Sequence, residues 1–143
     1  MVLTYAHADQ IATLLNERNQ LTQKYTRESV FGHADNYLCR FSDENKVVAC
    51  VEVKSVQWYQ TEVLHLTVAA SHTRKGHAKA LLREAERVAY AKGARLLQCT
   101  IRADNAESRS LFESFGFSHI NSFNNPSSGN NVAVFQKVLS SAR

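Results

Sequence analysis

A single helix near the middle of the chain constrains the fold more than any other feature of the sequence. Over residues 75–92 the apolar side chains recur at helical spacing and form one continuous stripe. Its members are Ala78, Leu81, Leu82, Ala85, Val88 and Ala89. Gly93 follows, at a position where a helix can end in a left-handed residue. Segments 61–69 and 94–101 predict strands on both sides, and a crossover helix between two strands of one sheet makes them parallel.

The remaining segments predict a mixed sheet. Before this β–α–β segment the predicted elements are a short strand over 2–5, a helix over 8–18, a weaker helix over 21–31 and strands over 37–41 and 46–57. After it, Asp104 and Glu107 predict a capping box for a short helix that ends at Gly116. Segments 117–122 and 132–139 then predict a hairpin. We therefore expect an α/β fold with a mixed, mostly antiparallel sheet.

The composition fits one folded domain over residues 1–143. Of the 143 residues, 44% are hydrophobic and 21% charged, which excludes a disordered or collagen-like chain. A chain of this length buries roughly two-thirds of its unfolded surface, so it needs no disulfide or metal to fold. No apolar run approaches the roughly 20 residues of a membrane helix, and no basic stretch with a long apolar region opens the sequence. We expect a cytoplasmic protein that does not bind a membrane.

The cysteines and the net charge exclude other classes of site. Cys39, Cys50 and Cys99 are far apart and form no Cys-x-x-Cys pair, so we expect reduced thiols in apolar strands and no metal site. Lys and Arg total 17 against 13 for Asp and Glu, a net charge of +4. This mild excess suits a small anionic ligand. Because no aromatic-interleaved basic stripe occurs, nucleic acid is not expected to be the principal partner.

The turn that precedes the central helix predicts an anion site. A strand ends, a short basic turn with a glycine follows, and a strong helix begins, so free backbone N–H groups and the positive helix end converge. Gly76 and Ala78 leave room for close approach to the backbone, and Arg74, Lys75 and Lys79 add positive charge. The alternative is an ordinary strand-to-helix turn with solvated lysines. The turn matches neither a Walker A loop nor a dinucleotide fingerprint.

Two segments resemble the motifs of one enzyme family. The turn Thr73-Arg74-Lys75-Gly76-His77-Ala78 resembles the acetyl-CoA-binding motif of the GNAT family of N-acetyltransferases, Gln/Arg-x-x-Gly-x-Gly/Ala. Residues 105–117 resemble the family's Asn-x-x-(Ala/Ser)-x-x-Leu-Tyr-x-x-x-Gly-Phe segment. Both lie in the family's order and at its spacing. The resemblance implies a sheet of six to seven strands with about four helices, splayed between the fourth and fifth strands.

The resemblance also assigns residues to acetyl-CoA, which would be the co-substrate, with no metal. Backbone groups of the central strand would pair with the pantetheine arm, and the turn would hold the pyrophosphate. The strand positions are Leu66, Thr67 and Val68, and the turn positions are Arg74, Lys75, Gly76, His77, Ala78 and Lys79. Asn105 matches the family's cofactor-binding asparagine.

Two positions depart from the family pattern. Thr73 replaces the long Gln or Arg that opens the turn motif, so a contact made by that longer side chain is lost. Phe112 stands where the family usually has the Tyr that protonates the departing thiolate or holds its sulfur. A thiol of pKa near 8.5 leaves tolerably without an acid. Phe112 could pack in the core or contact the cofactor with its ring.

Two residues of the central strand are candidates for the base that the reaction needs. Glu62 and His65 differ by three positions, which places them on opposite faces of a regular strand. His65 has the better intrinsic pKa at neutral pH, although a buried core histidine is an open alternative. Thr100 lies where peptide N-terminal acetyltransferases often carry a Glu, which argues against a ribosomal-protein N-terminal acetyltransferase.

These patterns predict an N-acetyltransferase that moves an acetyl group from acetyl-CoA to an amine by direct attack. A non-catalytic acyl-CoA-binding or regulatory module of the same fold is the alternative, since the usual acid is missing. An acyltransferase acting on charged tRNA is a third, weaker hypothesis. The acceptor could be a small molecule or a protein amine, and the chain could be a monomer or a homodimer.

Overall fold

The structure is a computed structural model, and it describes residues 2–19, 21 and 23–140. Four α-helices are described: α1 (Tyr5–Arg18), α2 (Arg27–Phe31), α3 (His77–Ala91) and α4 (Ala106–Ser114). The strands are β1 (Tyr37–Phe41), β2 (Val47–Gln57), β3 (Gln60–Val68), β4 (Leu96–Arg102), β5 (Ser118–Asn124) and β6 (Asn131–Val138). They form one sheet in the order β1-β2-β3-β4-β6-β5.

The sheet is mixed and mostly antiparallel, which confirms the predicted fold class. Strands β3 and β4 are parallel, as the crossover helix α3 requires, whereas β1 with β2, β4 with β6 and β5 with β6 are antiparallel. The parallel pairing joins Gln60–Glu62 to Leu96–Gln98, where both strands begin. Because the described residues before α1 form no strand, this pair is the third and fourth of the described strands. Splaying of the pair beyond those residues stays a prediction.

The predicted strand over residues 2–5 is wrong. Thr4 is the N-cap of α1, which begins at Tyr5: the Thr4 hydroxyl accepts from the backbone N–H of His7 over 3.0 Å. The Nδ1 atom of His7 accepts in return from the Thr4 backbone N–H over 3.2 Å. This reciprocal capping box outweighs the weak strand pattern of four residues.

Two further predictions are corrected by helix capping. The second helix covers only Arg27–Phe31, since Thr26 and Ser29 form a capping box at its start; residue 22 of the predicted range 21–31 lies outside the described residues. Asp104 does not cap α4. Asn105 does, and its side chain accepts from the backbone N–H of Ser108 over 3.2 Å, whereas the Asp104 carboxylate lies 3.6 Å from Arg102 Nε.

The described residues fall into two compact units. The first contains residues of 1–53 and 65–85, and its core centres on α1, with Ile11, Leu15, Val30 and Cys50 at most 1% exposed. The second contains residues of 54–64 and 86–143, with Leu97 and Phe135 fully buried. Strands β2 and β3 and helix α3 contribute to both. That residues 1–143 form a single domain stays a prediction.

Several observations bear on the predicted classes of site. Cys39, Cys50 and Cys99 are free thiols, and the last two are buried. Among the described residues, no group of three or more His, Cys, Asp or Glu side chains could hold a metal ion. In the same residues, no helix has the length and apolar character that crossing a membrane requires.

Candidate active site

The turn between β3 and α3 has two residues in the left-handed region. Arg74 has a φ of 63° and Gly76 a φ of 82°, and α3 begins at His77. The first helical hydrogen bond at this end runs from the Ala80 N–H to the Gly76 carbonyl oxygen over 3.0 Å. The N–H groups of residues 77–79 therefore lack acceptors within the helix and are available to a ligand.

Gly76 occupies its position for reasons of backbone conformation. A Cβ atom built on it meets no atom within 4 Å, so the surrounding space is open. Its φ, however, is one that residues with a Cβ adopt only at a cost of about 1–2 kcal/mol. A bulkier residue here would both strain the turn and fill the open space above it.

Positive charge surrounds this turn. Arg74, Lys75 and Lys79 are exposed. The Nε atom of Arg40, on β1, donates to Nδ1 of His77 over 3.2 Å. The pKa of His77 is lowered, first by burial and then by electrostatic repulsion from basic side chains, Arg40 foremost. The turn thus combines unpaired backbone donors with a positive field, as an anion site requires.

Side chains from the end of α1 hold the end of β3 within the first unit. The Nε atom of Arg18 donates to the Val68 carbonyl oxygen over 3.1 Å, and Nδ2 of Asn19 donates to the Thr67 hydroxyl over 3.1 Å. Thr67 is buried, while Leu66 and Val68 are half-buried. The three strand positions assigned to the pantetheine arm therefore lie on a fixed stretch of backbone.

His65 adopts an unusual backbone conformation. Its φ is 51°, a left-handed value that is rare inside a strand for a residue other than glycine and that marks strain. The side chain is half-buried, and the Tyr25 ring lies edge-on to the imidazole with centroids 5.6 Å apart. Burial lowers the pKa of His65, and the nearby Glu52 carboxylate opposes this shift. A neutral imidazole at physiological pH can accept a proton.

Glu62, the other candidate base, is described in the second unit. The Nε2 atom of Gln98 donates to Oε1 of Glu62 over 3.2 Å, and Nε2 of Gln136 donates to Oε1 of Gln98 over 2.7 Å. These side chains are direct cross-strand neighbours on β3, β4 and β6. Burial raises the pKa of Glu62, while the Gln98 hydrogen bond and Lys54 lower it.

Phe112 packs in the core of the second unit. It is 5% exposed, and its ring meets Phe117 edge-on with centroids 5.1 Å apart. This packing agrees with the alternative that Phe112 is a core residue. Contact of its ring with a cofactor stays a prediction.

The comparisons decide the family. The model of the acetyltransferase (GNAT) family matches residues 4–117, which is most of the chain and includes both motif segments. This protein belongs to the GNAT family of acetyltransferases. A sequence comparison with curated proteins gives no match.

Solved structures of GNAT proteins share the fold. Ard1 from Thermoplasma volcanium has a TM-score of 0.86 at 14% identity, covering 98% of this chain and 96% of its own. The ribosomal-protein-S18-alanine N-acetyltransferase from Escherichia coli has a TM-score of 0.78 at 17% identity, with coverage of 100% and 94%. A GNAT family acetyltransferase from Elizabethkingia anophelis, solved with acetyl-CoA bound, has a TM-score of 0.73 at 15% identity, covering 89% of each chain.

The predicted GNAT site residues divide between the two units. His65, the strand positions 66–68 and the turn 74–79 belong to the first, and Glu62, Asn105 and Phe112 to the second. Two residues near His65 were not predicted from the sequence, Asn16 and Tyr25. Asn16 donates through Nδ2 to the Tyr25 carbonyl oxygen and accepts from the Tyr25 N–H through Oδ1, each over 2.9 Å. No local pattern signals this contact. The assignment of all these residues to a function stays a prediction.

Proposed function

We propose that this GNAT protein transfers the acetyl group of acetyl-CoA to an amine acceptor by direct attack. The observation that carries the proposal is the turn at residues 73–79, in a chain that matches the family over residues 4–117. Arg74 and Gly76 have left-handed backbone conformations in this turn. The free N–H groups at the start of α3, which follows, are donors for a ligand in a region of positive charge. The pyrophosphate of acetyl-CoA is an anion suited to such a position.

His65 serves as the base in this proposal. An alkylammonium has a pKa near 10 and is not a nucleophile until it loses a proton. The amine gives that proton to the neutral imidazole, directly or through water, and its nitrogen attacks the acetyl carbonyl carbon. A C–N bond forms, the nitrogen gives its second proton to water, the C–S bond breaks, and the sulfur leaves as a thiolate. Glu62 acting through water is the alternative base.

Backbone groups and solvent complete the reaction. The N–H groups at the end of β3, near Val68, stabilise the negative oxygen that develops on the acetyl carbonyl. The departing thiolate takes its proton from water, because Phe112 has none to give. Its unperturbed pKa near 8.5 makes this tolerable.

One observation favours a second function. Phe112 is buried against Phe117 at the position of the family's acid, so the chain could bind acyl-CoA without catalysing transfer. A CoA-binding or regulatory module of the same fold would need the anion site and no base.

The experiment compares wild type with Phe112→Tyr, each with acetyl-CoA near saturation and a panel of primary amines, by detection of free thiol. We expect turnover in the wild type and a rate within about tenfold of it in Phe112→Tyr. Binding of acetyl-CoA, measured by calorimetry, verifies that both proteins are competent. If the wild type shows no turnover and Phe112→Tyr is clearly active, the proposal that this protein is an enzyme is wrong, and the CoA-binding module is the function that fits.

A further inference from the structure

The Glu52 carboxylate acts electrostatically on His65 and takes no part in the proposed reaction. Glu52 lies on β2 between Val51 and Val53, which are 0% and 6% exposed, and it is half-buried itself. Among the described residues it has no ion-pair partner, and one hydrogen bond reaches it, from the Tyr37 hydroxyl over 3.4 Å. A carboxylate in this position has lost part of its hydration without gaining a cation.

Three other carboxylates among the described residues form ion pairs. The Glu86 carboxylate lies 2.6 Å from Lys137 Nζ, and the Asp104 carboxylate lies 3.6 Å from Arg102 Nε. At the exposed start of α2, Glu28 meets Arg27 Nε over 3.3 Å. Glu52 forms no such ion pair and is half-buried, so a bound cation would compensate for the hydration that this carboxylate has lost.

The surroundings of Glu52 suit an organic cation. Tyr37 is its direct cross-strand neighbour on β1. Glu52 also acts electrostatically on His65 and on Tyr25, whose ring lies edge-on to that imidazole. A carboxylate with two phenol rings is a combination that binds ammonium groups, through charge, hydrogen bonds and ring faces. All four side chains belong to the first unit.

We infer that Glu52 binds the ammonium group of the acceptor next to His65, and that the acceptor is a cationic amine with no carboxylate beside its reacting nitrogen. This inference rests on the proposed function. Amines, amino acid amides and peptide N-termini fit this class, whereas free amino acids would place their carboxylate against Glu52. Repulsion between the two carboxylates would then disfavour free amino acids relative to the other amines.

The position of Tyr25 supports the same assignment. Its backbone is held by Asn16 through two hydrogen bonds of 2.9 Å. Burial, followed by the charge of Glu52, raises the pKa of Tyr25 to about 12, so its phenol stays protonated. A fixed, neutral phenol can orient an ammonium group by a hydrogen bond, while the carboxylate supplies the opposite charge.

The test measures kcat/KM for matched pairs of acceptors, each an amino acid amide and the same free amino acid, at saturating acetyl-CoA. Wild type should prefer the amide by at least about tenfold. Glu52→Gln keeps the side-chain shape and an acceptor for the Tyr37 hydroxyl but removes the charge. We expect the KM for the amide to rise about tenfold and kcat to stay within about threefold of the wild-type value. The preference for the amide over the free amino acid should be lost. Glu52→Lys should reverse the preference. Glu44→Gln, at an exposed turn position, is the matched control and should leave the ratio unchanged.

The outcomes separate the two claims. Turnover without an amide preference in the wild type, or a preference unchanged in Glu52→Gln, would overturn the assignment of Glu52 and leave the acetyltransferase standing. Binding of acetyl-CoA without turnover on any pair would overturn both. The wild-type ratio needs no variant, so the inference is tested even if Glu52→Lys does not fold.

Discussion

The hydroxyl of Thr67 donates a hydrogen bond to the backbone carbonyl oxygen of His65, two residues earlier on β3, over 2.7 Å. Thr67 in turn accepts from Nδ2 of Asn19 over 3.1 Å. The pair spans the point where His65 takes its left-handed φ of 51°. The unusual conformation of the candidate base is therefore held by a buried side chain that is itself anchored to α1.

Thr67→Val should loosen this arrangement. The substitution keeps the volume but removes the donor to His65 and the acceptor for Asn19, and it leaves buried polar groups unpaired at a cost of about 1–3 kcal/mol. We expect a lower free energy of unfolding in urea and a lower kcat. Thr67→Ser keeps the hydroxyl and should retain most of both. Equal behaviour of the valine and serine variants would show that the hydrogen bonds do not position His65.

His65→Ala tests the base. We expect turnover to fall by about a hundredfold or more while the affinity for acetyl-CoA, measured by calorimetry, stays nearly unchanged. The reason is that the imidazole accepts the proton but does not hold the co-substrate. A rate equal to that of wild type would return His65 to a structural role and make Glu62 the candidate base.

The lowered pKa of His65 also predicts a pH dependence of stability. Below about pH 6.5 the unfolded chain binds a proton at this imidazole that the folded chain resists, because burial disfavours the charged form. The contribution of His65 to stability is thus full above pH 6.5 and is lost as the pH falls through the folded pKa. The slope is at most about 1.4 kcal/mol per pH unit. Urea unfolding of wild type and His65→Gln from pH 7.5 to 5 should show the steeper loss in wild type, and parallel curves would contradict the burial of a neutral imidazole.

Gly76→Val tests the anion site. We expect affinity for acetyl-CoA to fall at least tenfold, about 1.4 kcal/mol, because the side chain strains the turn and fills the space where the pyrophosphate would lie. Gly129→Val is the matched control: Gly129 has a φ of 75° and equally open surroundings, in the β5–β6 loop. The control should lose stability to a similar degree and keep its affinity. An unchanged affinity in a folded Gly76→Val protein would contradict the placement.

The elements that the sequence predicts well are those whose pattern repeats over many residues. The stripe on α3 extends over twelve positions from Ala78 to Ala89, with Leu81, Leu82 and Ala85 at most 2% exposed, and Gly93 ends the helix with a φ of 98°. Segment 2–5 is too short for a pattern to decide, and a side-chain cap at Thr4 decided it instead. Asn105 and Asp104 are both good capping residues, so only the geometry of the turn could choose between them.

The candidate site is less predictable because it depends on contacts between distant residues. The turn 73–79 carries its information locally, in one glycine and several basic residues. Glu52 and Tyr25 reach His65 from positions 13 and 40 residues away in sequence, and nothing in either segment marks them as neighbours. The left-handed φ of His65 also has no sequence signal, because the β-branched and apolar residues of segment 61–69 predict a regular strand through this position.

The most direct measurement of the central claim is the stoichiometry of acetyl transfer. The protein is incubated with acetyl-CoA that carries a deuterated acetyl group and with an amine acceptor, and mass spectrometry quantifies the labelled amide while a thiol reagent quantifies CoA. We predict one labelled amide for each CoA released, with both rates reduced together in His65→Ala. Release of CoA as labelled acetate without amide formation, or binding of acetyl-CoA with no release across a broad panel of amines, would contradict it.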